Sequence, residues 1–388
     1  MEKRPHRIRW WKAAVLVTIG VSLAGAGAPV AGGNSIIRLP DEERVPFSAM
    51  AEALAGADIV LVGEQHDDFA HHRAQQAVIT GLLARRRVVV GMETFPSRLK
   101  DSLDRWRKGK FASWPAFLEA VDWYRVWSVS PALYRPVLET VRTHRLPLVG
   151  LNVPREWISR IGREGMEGLS ARQRDRIGPV APPSPEYRES LRESLASHEG
   201  EQEPEGFIAA QTAWDAAMAG ALLRAHRRHP EAVVVGLAGN GHIQGGFGIP
   251  HQIRARSEDV VVRTVVPYSP DREEAPPEAG DGDYAWALKR QAAPDPVRIG
   301  ILIRENDGGG IKVDAVQDGF PADGADVREG DRILAVDGQP VSSTTALIHA
   351  VREHRWGGCL RLRLRRDGQK RTLTLPLRRP ENGSASPH

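Results

Sequence analysis

The sequence predicts an α/β fold, a mostly parallel sheet flanked by helices, followed by a small β-rich domain. Three observations predict it. Five short runs, "DIVLVG" (58–63), "RVVVGME" (87–93), "LPLVGLN" (146–152), "AVVVGLAG" (232–239) and "VVVRTVV" (260–266), are β-branched and apolar at successive positions, as strands covered on both faces are. Between them apolar residues recur at helical spacing, such as Val78, Ile79, Leu82 and Leu83, or Val137, Leu138 and Val141. Beyond residue 296 the period changes to two, in "GIKVDAV", "DRILAVDGQPV" and "CLRLRLRRDGQKRTLTLPL".

Taken in order, the chain opens on a basic stretch, "MEKRPHRIRWWK", and then the apolar "AAVLVTIGVSLAGAGAPVA". A charged start, an apolar middle and a small-residue end form an export signal over residues 1–33, with an uncleaved membrane anchor as the alternative. Either places the protein in the cell envelope, with the periplasm as its expected location. Residues 36–268 hold the alternating strands and helices. Within them 157–205 is polar, rich in Arg and Glu and broken by "GPVAPPSP", which predicts a helical insertion. Residues 269–296 mix Pro, Gly and charge and predict a linker with one helical turn at "YAWALKRQ". Residues 297–380 form the β-rich domain, with a hairpin at Asp367-Gly368 and one helix, "STTALIHAVREHR". The last residues, 381–388, predict a disordered tail.

Charge excludes one class of partner. The net charge is only +4, with no long basic block, so nucleic acid is not an expected ligand. Cys359 is the only cysteine, so no disulfide forms within the chain even in an oxidising compartment.

In an open parallel sheet the ligand site lies beyond the carboxyl ends of the strands. Four of the runs deliver polar groups there. The first gives Glu64 and His66, the second Glu93, the third Asn152 and Arg155, the fourth Asn240 and His242. Two of these ends share the form Gly-x-x-His, "GEQH" and "GNGH". Imidazole and carboxylate together suit a divalent ion such as Zn, Mn or Co, or an anionic ligand. His71 and His72 open the next helix, and one is expected at the rim and the other in solvent, with His72 favoured for the rim. Asp68, like Asp67, reads as an N-cap as well as a ligand. In "FIAAQTAWDAAMAGALL", Gln211 and Asp215 lie four apart on one helix face, and a carboxylate there needs a partner, either an Arg or the site above it.

These residues resemble the ChaN-like haem-binding uptake proteins of the Tiki superfamily. The resemblance runs over residues 45 to 266 and rests on "GEQHDDFAHHRAQ", "GMETF", "YRPVLETVRTHRLPLVGLNVPR", "AAQTAWDAAMA" and "GLAGNGHIQGGFGIP", in that order. It implies an envelope protein of haem or iron uptake. The wider superfamily implies, instead, a metal-dependent hydrolase or peptidase, with His66 and His242 as ligands and Glu64 or Glu93 as ligand and general base. The axial ligand for haem would be a Tyr or His, with Tyr124, Tyr134 and Tyr187 as the tyrosines to weigh.

The C-terminal part resembles a PDZ domain of the bacterial envelope-protease type. "VRIGILI" is similar to its carboxylate-binding loop, placing Arg298, Ile299, Gly300 and Ile301 at the carboxyl terminus of a bound peptide. Leu347 and Val351, on the helix beside the groove, read as core. Three functions follow: a haem- or metal-binding envelope protein docked by its PDZ domain, a metal-dependent hydrolase, or an inactive PDZ adaptor.

Overall fold

Apolar runs that lack polar alternation leave no face for water, and the five runs do become strands buried at nearly every position. The computed structural model describes residues 35–196, 203–272, 276–305 and 310–380. The expected signal (1–33) and tail (381–388) lie outside the described residues. Among those described, no helix is long and apolar enough to cross a membrane. The chain divides into two units, residues 1–110 with 132–293, and residues 111–131 with 294–388.

The first unit is built on one sheet of β1 (Ser35–Arg38), β2 (Glu43–Val45), β3 (Ile59–Val62), β4 (Arg87–Pro96), β5 (Leu148–Asn152), β6 (Ala232–Leu237), β7 (Val262–Tyr268) and β8 (Tyr284–Ala287), in the order β2-β1-β8-β7-β3-β6-β4-β5. The six strands from β8 to β5 are parallel, and β1 and β2 add antiparallel pairs at one edge. Val62, Leu237 and Met92 are in register across β3, β6 and β4. The residues that follow therefore leave the sheet side by side, and this register assembles the rim.

Among the described residues up to 254 the α-helices are α1 (Phe47–Ala55), α2 (Phe69–Leu83), α3 (Lys100–Arg107), α4 (Trp114–Ala120), α5 (Trp123–Val126), α6 (Pro131–Thr143), α7 (Arg155–Glu164), α8 (Ala171–Ile177), α9 (Pro185–Ala196), α10 (Pro204–Arg228) and α11 (Ile249–Arg254). Of these, α4 and α5 fall in the second unit. Within the polar span 157–205 the described residues form α7, α8, α9 and the start of α10, the helices its composition predicts. α10 is buried along most of its Ala-rich length and shares a core with Ile59, Leu61, Val89 and Val234 of the sheet.

One expectation is corrected. Within the span 269–296 expected as a linker, Tyr284–Ala287 is a buried strand between β7 and β1. Tyr-Ala-Trp-Ala is apolar at every position, and its pairing partners are distant in sequence, so local composition reads it as a helical turn. The chain beyond β8 is then fastened to the loop after β3: the Phe69 N–H donates to the Gln291 carbonyl (2.8 Å), and the Gln291 N–H to Asp68 Oδ1 (3.1 Å).

The second unit is an antiparallel sheet of β9 (Ile301–Glu305), β10 (Ile311–Val316), β11 (Arg332–Val336), β13 (Cys359–Arg366) and β14 (Gln369–Pro376), with β12 (Gln339–Pro340) paired to β11 and one long helix, α12 (Thr344–Arg352). In β13 every second residue is buried, so Leu360, Leu362 and Leu364 enter the core and the arginines between them face water. Leu347 and Val351 of α12 are core residues, as expected. α4 and α5 pack on α12 with specific contacts. Ser343 Oγ donates to Glu119 (3.2 Å), Thr345 Oγ1 to Asp122 (3.0 Å), and the Arg352 guanidinium lies 4.7 Å from the centre of the Tyr124 ring.

Candidate functional site

The chain leaves β3 at Gly63, where a Cβ would come within 1.9 Å of Asn240 Oδ1. Only a residue without a side chain lets the two Gly-x-x-His loops approach this closely. Glu64 then turns inward and is buried. Its carboxylate accepts from His66 Nδ1 (2.7 Å), Tyr134 Oη (2.8 Å) and Gln75 Nε2 (2.8 Å), with His72 Nδ1 at 3.3 Å. Burial alone would raise its pKa, but the charge of His72 and the hydrogen bond from His66 outweigh it and hold the carboxyl well below its usual range.

Both histidines at the start of α2 are buried, which corrects the expectation that one faces solvent. His72 is turned to Glu64, and its Nε2 meets the His66 carbonyl (3.2 Å). His71 accepts the Gln65 N–H at Nδ1 (3.0 Å), and burial pushes its pKa down to about 4, so it is a neutral structural residue. Asp68 is the N-cap of α2, accepting from Ala70 N and from Ser269 Oγ, both at 2.9 Å. Asp67 pairs with Arg272 (2.9 Å) and Arg290 (2.8 Å), outside the rim.

The second half of the rim comes from β4 and β6. Glu93 is buried, accepts the Gly239 N–H at Oε2 (2.8 Å), and places Oε1 3.6 Å from His242 Nε2. His242 Nδ1 is 2.6 Å from Asp215 Oδ1, and Asp215 Oδ2 takes a hydrogen bond from Tyr187 Oη (2.7 Å). Burial opposes the imidazolium, yet the Asp215 and Glu93 carboxylates lift the His242 pKa to about 9. Asp215 is therefore paired with the site and not with an arginine.

The two halves meet at Gly239. A Cβ there would lie 3.2 Å from His66 Cε1, 3.5 Å from His66 Nε2 and 3.8 Å from Glu93 Oε2. His66 and His242 thus border the same carboxylate, each with its Nδ1 fixed by a different buried acid, Glu64 or Asp215. The supporting residues hold the strand ends. Asn152 donates to the Glu93 carbonyl (3.1 Å), and Asn240 donates to the Pro267 carbonyl (2.8 Å) while its own N–H reaches the Glu64 carbonyl (2.9 Å). Arg155 opens α7; burial lowers its pKa and the charge of Glu93 acts against that. Gln211 is half-buried, one turn before Asp215. His251 is spent on the Pro182 carbonyl (2.9 Å).

The divalent set expected from His66, His242, Glu64 and Glu93 is not assembled. The carboxylates that would complete it are engaged by imidazole Nδ1 atoms and a backbone N–H. Among the described residues, no three or more His, Cys, Asp or Glu are placed to hold a metal ion. The two tyrosines that brace the site, Tyr134 and Tyr187, sit on helices far from the Gly-x-x-His motifs in sequence. Only their company with Glu64 and Asp215 reveals their role.

A family described as haem-binding uptake, Tiki superfamily, ChaN, matches residues 50–253, just over half of the chain. The chain belongs to that family. A solved structure described as cofacial haem binding to ChaN of Campylobacter jejuni is similar to this ChaN-family chain with a TM-score of 0.54 and 21% identity, over 65% of this chain and 96% of that one. At that identity the likeness shows the fold. The second unit holds a PDZ domain, matched over 297–377. A serine endoprotease from Yersinia pestis is 31% identical over 21% of this chain and 29% of its own (TM-score 0.20), and the HtrA3 PDZ domain bound to a phage-derived ligand is 23% identical over 21% of this chain and 84% of its own (TM-score 0.19). No curated protein matches the chain.

In the PDZ domain of this ChaN-family chain, Val297 and Ile299 are buried and Arg298 is half-buried. The carbonyls of Ile299 and Gly300 accept from Ala322 (2.9 Å) and Gln317 (2.8 Å). In a trans peptide the N–H points opposite to the carbonyl, so the N–H groups of Gly300 and Ile301 face away from those partners. Gly300 has φ +76°, and a Cβ there would lie 2.1 Å from Phe320 Cβ, so the loop conformation requires glycine.

Proposed function

We propose that the first unit binds haem at the rim with His66 as the iron's axial ligand, and that the PDZ domain takes the carboxyl terminus of a partner protein. On this reading the chain, exported by its basic and apolar start, presents a haem-carrying domain to a partner in the cell envelope. The observation that carries it is the setting of His66. Its Nδ1 is fixed by a buried carboxylate, the arrangement that orients a ligating imidazole and raises its basicity. The His66 side chain keeps 24% of its surface, against 12% for His242. The tyrosines compete poorly. Tyr134, Tyr187, Tyr268 and Tyr284 are all buried, and Tyr124, on α5, is held against Arg352, burial pushing its pKa up to about 12.

The residues present fit the group. Gly239 leaves open the space beside His66 Nε2 that any Cβ would fill. Haem, when bound, supplies the iron centre; Glu64 orients the imidazole, and Gln75 and Tyr134 hold Glu64. Titration of the protein with haemin should produce a Soret band. Glu64→Gln should weaken binding by about 10–100-fold, and His66→Ala at least as much with a shifted band. Gly239→Ala should weaken it without moving the band, since the ligand remains. A His66→Ala protein with the affinity and band of the wild type would remove His66 from the role.

For the PDZ domain, the outward N–H groups of Gly300 and Ile301 support recognition of a terminal carboxylate. Peptides with a free carboxyl terminus should bind, and the same peptides amidated should not. Gly300→Ala should abolish binding, because the positive φ and the Phe320 side chain both oppose a methyl group there. Equal affinity for the free and amidated forms would show that the groove reads something other than the carboxylate.

A further inference from the structure

The first unit carries a second cluster of charge that the rim does not use. Arg224, in the last two turns of α10, has Arg176, Arg227, Arg228 and Arg256 as its charged neighbours, from α8, from α10 itself and from the chain just after α11. Among the described residues no Asp or Glu pairs with any of the five. The buried acids of the rim, by contrast, are matched: Glu64 by imidazoles and Asp215 by His242.

The geometry narrows the focus to two of them. A Cβ on Gly220 would lie 2.8 Å from Arg256 Nη1 and 3.0 Å from Arg224 Nη1, so both guanidinium groups converge over the bare backbone of one residue. Arg256 also passes within 3.6 Å of the corresponding point on Gly178, which lies beside α8. Its Nη2 donates to the Pro179 carbonyl, while its Nε is buried with no hydrogen-bond partner. The carbonyls at the end of α10 account for Arg227 and Arg228, which stand in the last turn. They do not account for Arg224 and Arg256, whose ends lie about two turns before that terminus. Burial and the four neighbouring arginines lower the Arg224 pKa to about 10, the direction expected where cations gather without counter-charge.

We propose that this cluster binds a phosphate group, held by the forks of Arg224 and Arg256 with Arg176, Arg227 and Arg228 adding charge. Guanidinium forks match the tetrahedral oxyanion with paired N–H donors. Five cations call for a multiply charged anion, which a single carboxylate is not. The phosphate can be free or can belong to a lipid headgroup, and the site's chemistry is the same for both.

Calorimetric titration of the full chain with pyrophosphate, and co-sedimentation with phosphatidylcholine vesicles with and without phosphatidic acid, separate the two sources. Arg224→Gln/Arg256→Gln should lose about 10–100-fold in affinity for whichever probe binds, and Arg172→Gln, an exposed arginine of α8 outside the cluster, should not. Because Arg224→Gln relieves mutual repulsion, it should melt no lower than the wild type, while Arg256→Gln also gives up the bond to the Pro179 carbonyl. Pyrophosphate should raise the melting temperature of the wild type only. Arg224→Gln alone, which breaks no hydrogen bond among the described residues, gives the same comparison should the double variant fail to fold. Binding of pyrophosphate identifies a free anion and binding only of acidic vesicles identifies a headgroup. Equal binding by wild type and variant, or binding of neither probe, overturns the proposal.

Discussion

Glu64→Ala is expected to destabilise the first unit by about 3–5 kcal/mol, more than any single change that touches only the surface. The carboxylate is 4% exposed and is the common acceptor for His66, Tyr134 and Gln75. Its removal strands the buried Tyr134 and Gln75 donors and frees His66 Nδ1, and it takes from buried His72 the carboxylate that raises its pKa against the effect of burial. Glu64→Gln keeps the volume and one acceptor oxygen, so its cost should be nearer 1–2 kcal/mol. Denaturant unfolding of the two variants measures the difference. An alanine variant within about 1 kcal/mol of the wild type would mean that the network does not hold the rim together.

The second large effect belongs to the PDZ domain. Asp331 is 1% exposed and binds Arg366 through two bonds, Nε to Oδ1 and Nη2 to Oδ2, both 2.7 Å, while accepting the Arg328 N–H at 2.9 Å. The ion pair ties the turn before β11 to the end of β13. Asp331→Ala should cost about 3 kcal/mol, because it removes two charge-assisted bonds to Arg366, whose remaining acid is Asp326 (3.0 Å), and leaves the Arg328 N–H without its acceptor. Asp331→Asn should cost less, retaining one acceptor. Hydrogen exchange resolved by peptide reads the effect locally: amides of β11 and β13 should lose protection while those of β3 and β6 keep theirs. Unchanged exchange in β11 would show that the strands are held by their apolar face alone.

What could be read beforehand follows from the range of the interactions. A parallel strand announces itself in a handful of adjacent residues, and its carboxyl end names the side chains that gather at the rim. Glu64, His66, Glu93, Asn152, Asn240 and His242 were legible for that reason. Their partners were not. Tyr134 and Gln75 reach Glu64 from helices whose own periodicity says only which face is buried, and Tyr187 reaches Asp215 from a stretch that reads as polar insertion. Strand β8 was hidden in the same way, since its apolar residues gain meaning only beside β1 and β7. The carboxylates fall between these cases. Their presence at the rim was visible, and their commitment to imidazole nitrogens in place of a metal set was not.

The PDZ-bearing unit is made of two pieces of chain, because α4 and α5 interrupt the first unit's sequence and pack on α12. The polypeptide therefore crosses from one unit to the other three times. This makes the unit a poor candidate for excision. A stop codon near residue 294 removes the sheet and α12 but leaves behind Phe117, Leu118 and Trp123, now without part of their cover. A protease that cuts once after β8 leaves the unit still tethered through the ends of residues 111–131. Expressing residues 294–388 alone gives a helix α12 stripped of Glu119, Asp122 and Tyr124. Loss of function in such truncations would report a damaged unit as readily as an absent PDZ domain. Point changes in the Gly300 loop keep both pieces of the unit, and peptide binding read beside the melting temperature then separates lost recognition from a strained fold.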